Sequence, residues 1–464
     1  MAALPDYVAS AKPLPMANRV PWYKTTAQTY AGIMLWFVFW DQVPGGATLS
    51  QGLGTAFLGL IGAALICHFL FYLVPGILGM STGLPLYVVG TSVYGVQGGF
   101  IMPGLLMGLL QYGWLAVNAF FAGILLCAPF GQGAGTVAHA VVATAWTIAA
   151  AFMGVMGIKY VARVATFLPL IPLVILIVLL VKTIGGVGSF DAAKVIPADK
   201  VISSFDVIAL LMTVIVGFFA TAGAAGTDIA SSNRDKKDVQ LGGLAGIAGA
   251  TIFAGGAALL IVAGAHGLGV AKPSDVNPTA MMAGVMGENV AKVFWYLLAI
   301  AAFPPACFSS LIAANSFRTT LPQVKPVISC GLGTIVAIIL AVTGYAGDAV
   351  GVFSVIGASF GPICGAMVAD YLLAGGKWAG PRAGFNPAGW VSWALGFVVG
   401  ASGFIAKING LEFFGKIPAP PVAAFIVGFV VYLVLAKAGM QSKTLEMPGA
   451  APAPAPAGGT GQPA

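Results

Sequence analysis

The chain has very little charge. Only 8% of its 464 residues are Asp, Glu, Lys or Arg, whereas 59% are hydrophobic. A soluble globular domain carries about 25% charged residues, so this chain has too few to cover a water-exposed surface. The composition excludes an ordinary soluble domain and predicts an all-α polytopic membrane protein that lies in a lipid bilayer.

The residues that enzymes, metal sites and nucleic-acid binders need are also scarce. None of the three histidines is spaced with another histidine or a carboxylate as in a zinc site, and there is no nucleophile elbow or phosphate-binding loop. The five cysteines fall in apolar runs, which favours buried thiols over disulfides. The net charge of +7 comes without a basic cluster interleaved with aromatics. We therefore expect no enzyme activity, cofactor, metal or nucleic-acid partner.

Long apolar windows are what the sequence has in abundance. A bilayer requires about 20 apolar residues per helix, and twelve windows approach or exceed that length. They lie at 28–45, 52–76, 97–127, 136–157, 161–183, 205–226, 240–268, 290–316, 327–346, 350–373, 388–407 and 417–436. The sequence therefore predicts twelve transmembrane helices.

Lysines and arginines indicate how these helices are oriented. If the N-terminus is cytoplasmic, 14 of the 21 basic residues, including every arginine, fall on the inner side. We expect a multi-pass protein of the cytoplasmic membrane with both termini inside. Residues 1–26 form a cytoplasmic tail, and residues 438–464 form a disordered Pro/Ala-rich tail.

The windows divide into two groups of five. A polar connector at 185–204 separates a first predicted repeat (27–184) from a second (205–375), and helices 11 and 12 follow at 376–437. Five spans per repeat invert the second repeat relative to the first. The first window of each repeat is interrupted, by "DQVPGG" at 41–46 and by "TAGAAGTD" at 221–228. Paired interruptions of this kind indicate a binding site near the middle of the membrane.

The third window carries a polar and aromatic helix face. Gln111, Trp114 and Asn118 are spaced by three and four residues, so they share one face. An indole plate flanked by two amides suits a flat heteroaromatic ligand. Alternatively, the tryptophan packs against lipid or a neighbour and the amides link helices.

Four motifs follow one another along the chain: "STGLPLYVVGTSVYG" (81–95), "GLLQYGWLAVN" (108–118), "GFFATAGAAGTDIA" (217–230) and "GPICGAMVADYL" (361–372). In their order and spacing they resemble the nucleobase–cation symporter family of cytosine permeases, purine–cytosine permeases and hydantoin transporters. The resemblance spans about residues 12 to 436. It implies a LeuT-like fold of two inverted five-helix repeats plus two further helices.

The resemblance also implies site residues. Trp114 matches the family's stacking tryptophan, Gln111 the glutamine one turn earlier, and Asn118 the amide one turn later. Phe219 matches the second aromatic plate, and broken-helix backbone near Thr221 and Ala222 would offer polar groups. Where sodium-coupled members have two adjacent hydroxyl residues, this chain has Pro304 and Pro305. Ala306 replaces an asparagine of the fungal members, with Ser309 or Ser310 as substitutes.

The loss of those hydroxyls favours a proton over sodium as the coupling ion. Three acidic residues in or near the membrane could carry it. Asp41 lies at the first interruption and is the candidate for ion coupling, unless it is merely solvated near the outer surface. Asp228 and Asp370 lie near the inner ends of the sixth and tenth helices, where a gating or structural role fits them.

These features predict a secondary active transporter that imports a nucleobase or related planar heterocycle, coupled to protons. The alternatives are sodium-coupled or uncoupled transport of hydantoin-, allantoin- or vitamin-like heterocycles, and a membrane sensor that binds its ligand without moving it. The sequence specifies neither the base nor the oligomeric state, and a monomer would suffice.

Overall fold

The computed structural model describes residues 4–156, 167–273 and 275–447. The main helices are α1 (Thr26–Met34), α2 (Phe37–Gln42), α3 (Gly52–Thr82), α4 (Phe100–Phe130), α5 (Val137–Met156), α6 (Leu170–Ser189), α7 (Ser204–Ala224), α8 (Gly226–Ala230), α9 (Lys236–Gly267), α10 (Pro278–Met286), α11 (Glu288–Thr320), α12 (Pro326–Val342), α13 (Ala349–Leu373), α14 (Pro387–Gly400) and α15 (Pro420–Lys437).

All twelve predicted spans have helical counterparts. Among the described residues, nine helices are long and apolar enough to cross a membrane. Two shorter apolar helices, α12 and α14, and the interrupted pair α1–α2 account for the other three. The first part of the window at 161–183 lies outside the described residues. The chain is therefore a multi-pass membrane protein.

Several helix starts follow directly from the sequence. Ser203 and Asp348 accept the backbone N–H of Asp206 and Gly351 and so cap α7 and α13. Proline occupies the first turn of α12, α14 and α15, where its missing N–H leaves no hydrogen bond unmade. These local signals explain why the predicted windows and the observed helices agree to within a few residues at most boundaries.

The first helix is interrupted at Leu35–Trp36, upstream of the "DQVPGG" segment that was expected to break it. Trp36 has an extended backbone, and the Trp40 indole donates to the Leu35 carbonyl over 3.1 Å. Pro44 and the glycines instead end α2 after Gln42. The predicted position was wrong because the bond that stabilises the interruption comes from a tryptophan one turn later. The second interruption, at Ala225 between α7 and α8, lies within the predicted 221–228.

The structure also differs from the predicted disordered C-terminal tail. The backbone of Ala383 donates to Lys443 over 2.9 Å, and Leu445 donates to Pro381 over 2.7 Å. Residues 440–447 therefore pack against the loop between α13 and α14. Residues 448–464 lie outside the described residues.

Candidate functional site

An aromatic cluster, buried except for the half-buried Trp114, lies at the interruption of the first helix. Trp36 comes from the interruption itself, Trp114 from α4, Phe218 from α7 and Phe353 from α13. The Trp36 ring centroid lies 6.0 Å from both Trp114 and Phe218, and Phe353 lies 5.5 Å from Trp114. Phe39 in α2 completes the cluster, 4.7 Å from Phe218. The cluster therefore brings together the first, third, sixth and tenth spans.

Two of the predicted site residues meet directly. The indole N–H of Trp114 donates to the hydroxyl of Thr221 over 3.3 Å. Thr221 lies in the last turn of α7, next to the interruption at Ala225. The bond joins the indole of the third span to the interrupted sixth span and fixes the orientation of the predicted stacking plate.

The neighbouring phenylalanines of α7 point in different directions. Phe218 meets Trp114 edge-on, with ring centroids 5.2 Å apart and ring planes at 82°. Phe219 instead lies 5.7 Å from Tyr30 on α1 and is fully buried. Adjacent residues on a helix are 100° apart, so only one of the two can face Trp114. The structure does not bring Phe219 to Trp114, and Phe218 takes the position expected for it.

The two amides of α4 also differ in what they bind. Asn118 donates to the Ala302 carbonyl over 2.9 Å and accepts from the Trp146 indole over 3.1 Å. Among the described residues, Gln111 donates a hydrogen bond only to the thioether of Met107, at 3.6 Å, and thioether sulfur is a weak acceptor. Asn118 thus links α4 to α11 and α5, as in the alternative reading of the motif. Gln111 retains hydrogen-bonding capacity.

Thirteen buried side-chain nitrogen and oxygen atoms have no hydrogen-bond partner within the described residues, and two of them bear on the candidate site. Within the residues that the structure describes, the Trp36 indole N–H and the Ser310 hydroxyl have no hydrogen-bond partner. Ser309 donates to the Pro305 carbonyl of its own helix over 3.3 Å. Buried polar groups are nearly always paired in folded proteins. The Trp36 N–H and the Ser310 hydroxyl are therefore available to a ligand or an ion.

Asp41 lies in the last turn of α2 and not at the interruption. It is 3% exposed, and its carboxylate accepts the backbone N–H of Thr279 in α10 over 2.8 Å. The residue lines a cavity of about 240 Å³ on the predicted outer side. The cavity is also lined by Gln42, Phe121, Ile124, Leu125, Ala128, Asn277, Thr279, Ala280 and Trp295. The structure thus connects Asp41 to an outer loop helix.

Asp228 and Asp370 both make contacts at the predicted inner end of the bundle. The carboxylate of Asp228 accepts the backbone N–H of Leu86 over 3.0 Å. Asp370 pairs with Arg382 at 3.1 Å and accepts from the Tyr432 hydroxyl at 2.7 Å. Asp370 follows Phe353 by about 25 Å along α13, at 1.5 Å per residue. Neither acid reaches the aromatic cluster.

Reasoning from the sequence did not find Trp36, Phe218 or Phe353 as site residues. A signal existed for Trp36, because a large aromatic residue lies within the interrupted window itself. Phe218 lies beside Phe219 in the "GFFATAGAAGTDIA" motif, where either ring is a candidate plate, and the family resemblance selected Phe219. Nothing local distinguishes Phe353, which approaches because the backbone of Gly217 allows it: a Cβ on Gly217 would lie 2.6 Å from the Phe353 carbonyl oxygen.

Comparison with known proteins gives structural relatives only. No protein-family model and no curated protein matches the chain. Mhp1 in its inward-facing conformation is similar with a TM-score of 0.67 at 15% identity, over 94% of this chain and 95% of that one. Mhp1 in a closed conformation with bromovinylhydantoin bound gives 0.63 at 16%, over 93% and 94%, and is described as a nucleobase-cation-symport-1 family transporter. A Na⁺-coupled sialic acid symporter gives 0.53 at 15%, over 95% and 93%.

These comparisons confirm the predicted fold. The chain has the LeuT-like fold, with two inverted five-helix repeats and two further helices, that these transporters share. Mhp1 is described as a member of the same family that the sequence motifs resemble. The resemblance is therefore confirmed at the level of the fold. The identities are too low to transfer a substrate or an ion.

Proposed function

We propose that the chain is a secondary active transporter that imports a nucleobase or a related planar heterocycle by alternating access. The observation that carries the proposal is the aromatic cluster around Trp36, Trp114 and Phe218, which is built from both interrupted spans. Such a site, apolar with a few polar groups that set orientation, is typical of small-molecule pockets.

The geometry suits a flat ring with polar edges. A heterocycle stacked on the Trp114 indole would meet the Phe218 ring edge-on, the arrangement that aromatic pairs favour beside offset stacking. The Gln111 amide can donate and accept at the ligand's edge, and the unpaired Trp36 N–H can donate to a ring nitrogen or carbonyl. An aliphatic or highly charged solute would use neither the rings nor the amide.

The relatives support a transporter of this class. Mhp1 is described with bromovinylhydantoin bound, and hydantoin is a small planar heterocycle. The sialic acid symporter and a manganese transporter from Eremococcus coleocola, with a TM-score of 0.51 at 13% identity over 91% of this chain and 97% of that one, share the fold with different cargo. The fold therefore supports transport, and the choice of a heterocycle depends on the aromatic cluster.

Two ions are candidates for coupling. A proton is favoured by the prolines at 304 and 305, which supply no side-chain oxygen, and Asp41 is then the carboxylate that would carry it. Sodium is the second candidate, because Ser309 and Ser310 are adjacent hydroxyls on α11 and that of Ser310 is buried and unpaired among the described residues. The comparisons include a Na⁺-coupled symporter and do not favour the proton.

We further propose that the protein lies in the cytoplasmic membrane with both termini inside and that it acts as a monomer. The distribution of basic residues supports the orientation. The aromatic cluster is complete within one chain, which supports a monomer as the working unit.

Uptake into cells that express the protein tests these proposals. Radiolabelled cytosine, adenine and hydantoin are compared, each with a protonophore, with a sodium ionophore and with neither. We expect saturable accumulation of at least one heterocycle. Accumulation that is lost with the protonophore but kept with the sodium ionophore supports proton coupling. The opposite pattern supports sodium coupling. Saturable binding without accumulation would support the sensor and contradict transport.

A further inference from the structure

The outer end of the first helix is joined to a loop helix. Asp41, in the last turn of α2, accepts the Thr279 backbone N–H over 2.8 Å, and its own carbonyl accepts from the Asn277 side chain over 2.6 Å. Thr279 lies in the first turn of α10, which connects α9 to α11. Backbone N–H groups in a first turn have no partner within the helix, so the carboxylate fills a vacancy there. We call this contact the outer latch.

The inner end of the sixth span is joined to a loop helix in the same way. Asp228, in α8, accepts the Leu86 backbone N–H over 3.0 Å. Leu86 begins the short helix Leu86–Val89, in the connection between α3 and α4. The backbones meet closely beside this contact, since a Cβ on Gly79 of α3 would collide with the Thr227 carbonyl. We call this contact the inner latch.

The two latches are related by the repeat. Each acid follows the interruption in the first span of its own repeat. Each binds the first turn of the loop helix between the second and third spans of the other repeat. Because the repeats are inverted, one contact lies on each side of the membrane. Two unrelated hydrogen bonds would not be expected to match in position and in partner and to lie on opposite sides of the membrane.

We propose that Asp41 and Asp228 are paired gating residues, and that the outer latch must break for the site to open outward and the inner latch for it to open inward. The proposal rests on the alternating-access function proposed above. A latch that is present in one state and absent in the other stabilises the state that has it, so removing it shifts the population toward the opposite state.

The two latches differ in exposure to water. Protein atoms surround both carboxyl groups, but the Asp41 side chain has almost no accessible surface, whereas that of Asp228 keeps some. Water competes for the Asp228 carboxylate, so its hydrogen bond contributes less. Removing the outer latch should therefore shift the population more than removing the inner one.

Cysteine labelling in proteoliposomes tests the proposal without a substrate. The outer reporter is Leu125→Cys, which is buried beside the outer cavity, and the inner reporter is Val88→Cys, in the helix bound by Asp228. The native cysteines are buried, and a membrane-impermeant maleimide is added from one side at a time. The variants are Asp41→Ala and Asp228→Ala, with Asp199→Ala, an exposed acid of the connector, as the matched control.

Asp41→Ala should raise labelling of the outer reporter about tenfold and lower that of the inner reporter, since a hydrogen bond to a charged group is worth a factor of that order. Asp228→Ala should do the reverse, by about threefold. The Asn variants, which keep an acceptor oxygen, should show smaller shifts in the same directions. Asp199→Ala should match the parent.

The change in labelling at the reporter on the opposite side of the membrane decides the outcome. A rise at the nearer reporter without a fall at the other means local loosening and overturns the proposal, as does a rise at both reporters or at neither. Heterocycle binding is measured on the same vesicles. If the reciprocal labelling pattern is found but no heterocycle binds, the latches stand and the proposed substrate class fails. If a heterocycle is transported but labelling is not reciprocal, the latches alone fail.

Discussion

The aromatic cluster and the hydrogen-bonded network around Asp370 both bury polar side chains, but they pair them to different degrees. At the inner end, Arg382 donates to the Asp370 carboxylate, to the Ser92 carbonyl at 2.8 Å and to the Ser442 carbonyl at 3.1 Å. Tyr432 adds a further donor to Asp370. At the candidate site, the Trp36 N–H and the Ser310 hydroxyl have no partner among the described residues.

This difference separates structure from binding. A fully paired network has no capacity left for a ligand, and it joins α13, α15, the loop between α13 and α14 and the C-terminal segment. An incompletely paired site costs stability, and such a cost is typically retained where a ligand binds. We therefore assign the inner network to stability and the aromatic cluster to recognition, and the predictions below test that assignment.

The largest effect is expected from Arg382→Met. Removing one partner of a buried ion pair leaves an uncompensated charge and costs about 3–5 kcal/mol. The thermal unfolding midpoint of the detergent-solubilised protein should fall markedly. Heterocycle affinity of the folded fraction should not change, because the cluster lies about 25 Å away along α13.

Lys377→Met is the matched control, since Lys377 is exposed in the same loop. It should leave the midpoint within a degree or so of the parent, because surface substitutions usually change stability by about 0.5 kcal/mol or less. An unchanged midpoint in Arg382→Met would show that the inner network is dispensable. If Arg382→Met instead lost heterocycle binding with an unchanged midpoint, the two regions would not differ in the way we assign.

A smaller effect is expected from Phe218→Leu, compared with Phe219→Leu. Both positions are buried in α7, so both variants should lose similar stability. Only Phe218 faces Trp114, so only its loss should weaken heterocycle binding, by about tenfold if the ring contact resembles base–aromatic stacking of roughly 1–3 kcal/mol. Equilibrium dialysis measures both variants. If Phe219→Leu loses as much heterocycle affinity as Phe218→Leu, or more, the assignment to Phe218 is wrong. Phe219 would then contribute to binding, as the family resemblance implied.

The smallest effect is expected from Trp36→Phe. The substitution keeps an aromatic ring against Phe218 and removes the indole N–H. A neutral hydrogen bond contributes about 0.5–1.5 kcal/mol, so affinity should fall about two- to tenfold for heterocycles with a ring acceptor facing Trp36. A ligand series in which that acceptor is replaced by C–H should lose the same factor with the parent and nothing with the variant. An equal loss of affinity with the parent and with Trp36→Phe would mean that the Trp36 N–H does not donate to that acceptor and that Trp36 acts only through packing.

Much of the fold was predictable from the sequence because it depends on simple quantities. Apolar length determines the spans, and capping residues and prolines set boundaries such as Ser203 and Pro326. The site was less predictable because it depends on side-chain direction across distant segments. Trp114 and Thr221 were both predicted and meet, whereas the choice between Phe218 and Phe219 depends on the rotation of α7, which hydrophobicity alone does not fix.

The acids illustrate the same limit. Sequence identified Asp41, Asp228 and Asp370 as unusual, since acids are costly near a membrane. It could not show that Asp41 and Asp228 bind backbone N–H groups of loop helices, because those partners are more than a hundred residues away in the chain. The position of the first interruption was missed for a similar reason, since it depends on the Trp40 side chain.

The most direct test of the central claim is heterocycle binding to the purified protein with Trp114→Ala, measured by equilibrium dialysis. Trp22→Ala, which alters a tryptophan of the N-terminal tail, is the control. We predict that at least one of cytosine, adenine and hydantoin binds the parent and the control saturably, and that Trp114→Ala weakens that binding by at least about tenfold. Binding that survives Trp114→Ala unchanged, or no binding of any of these heterocycles to the parent, would contradict the account.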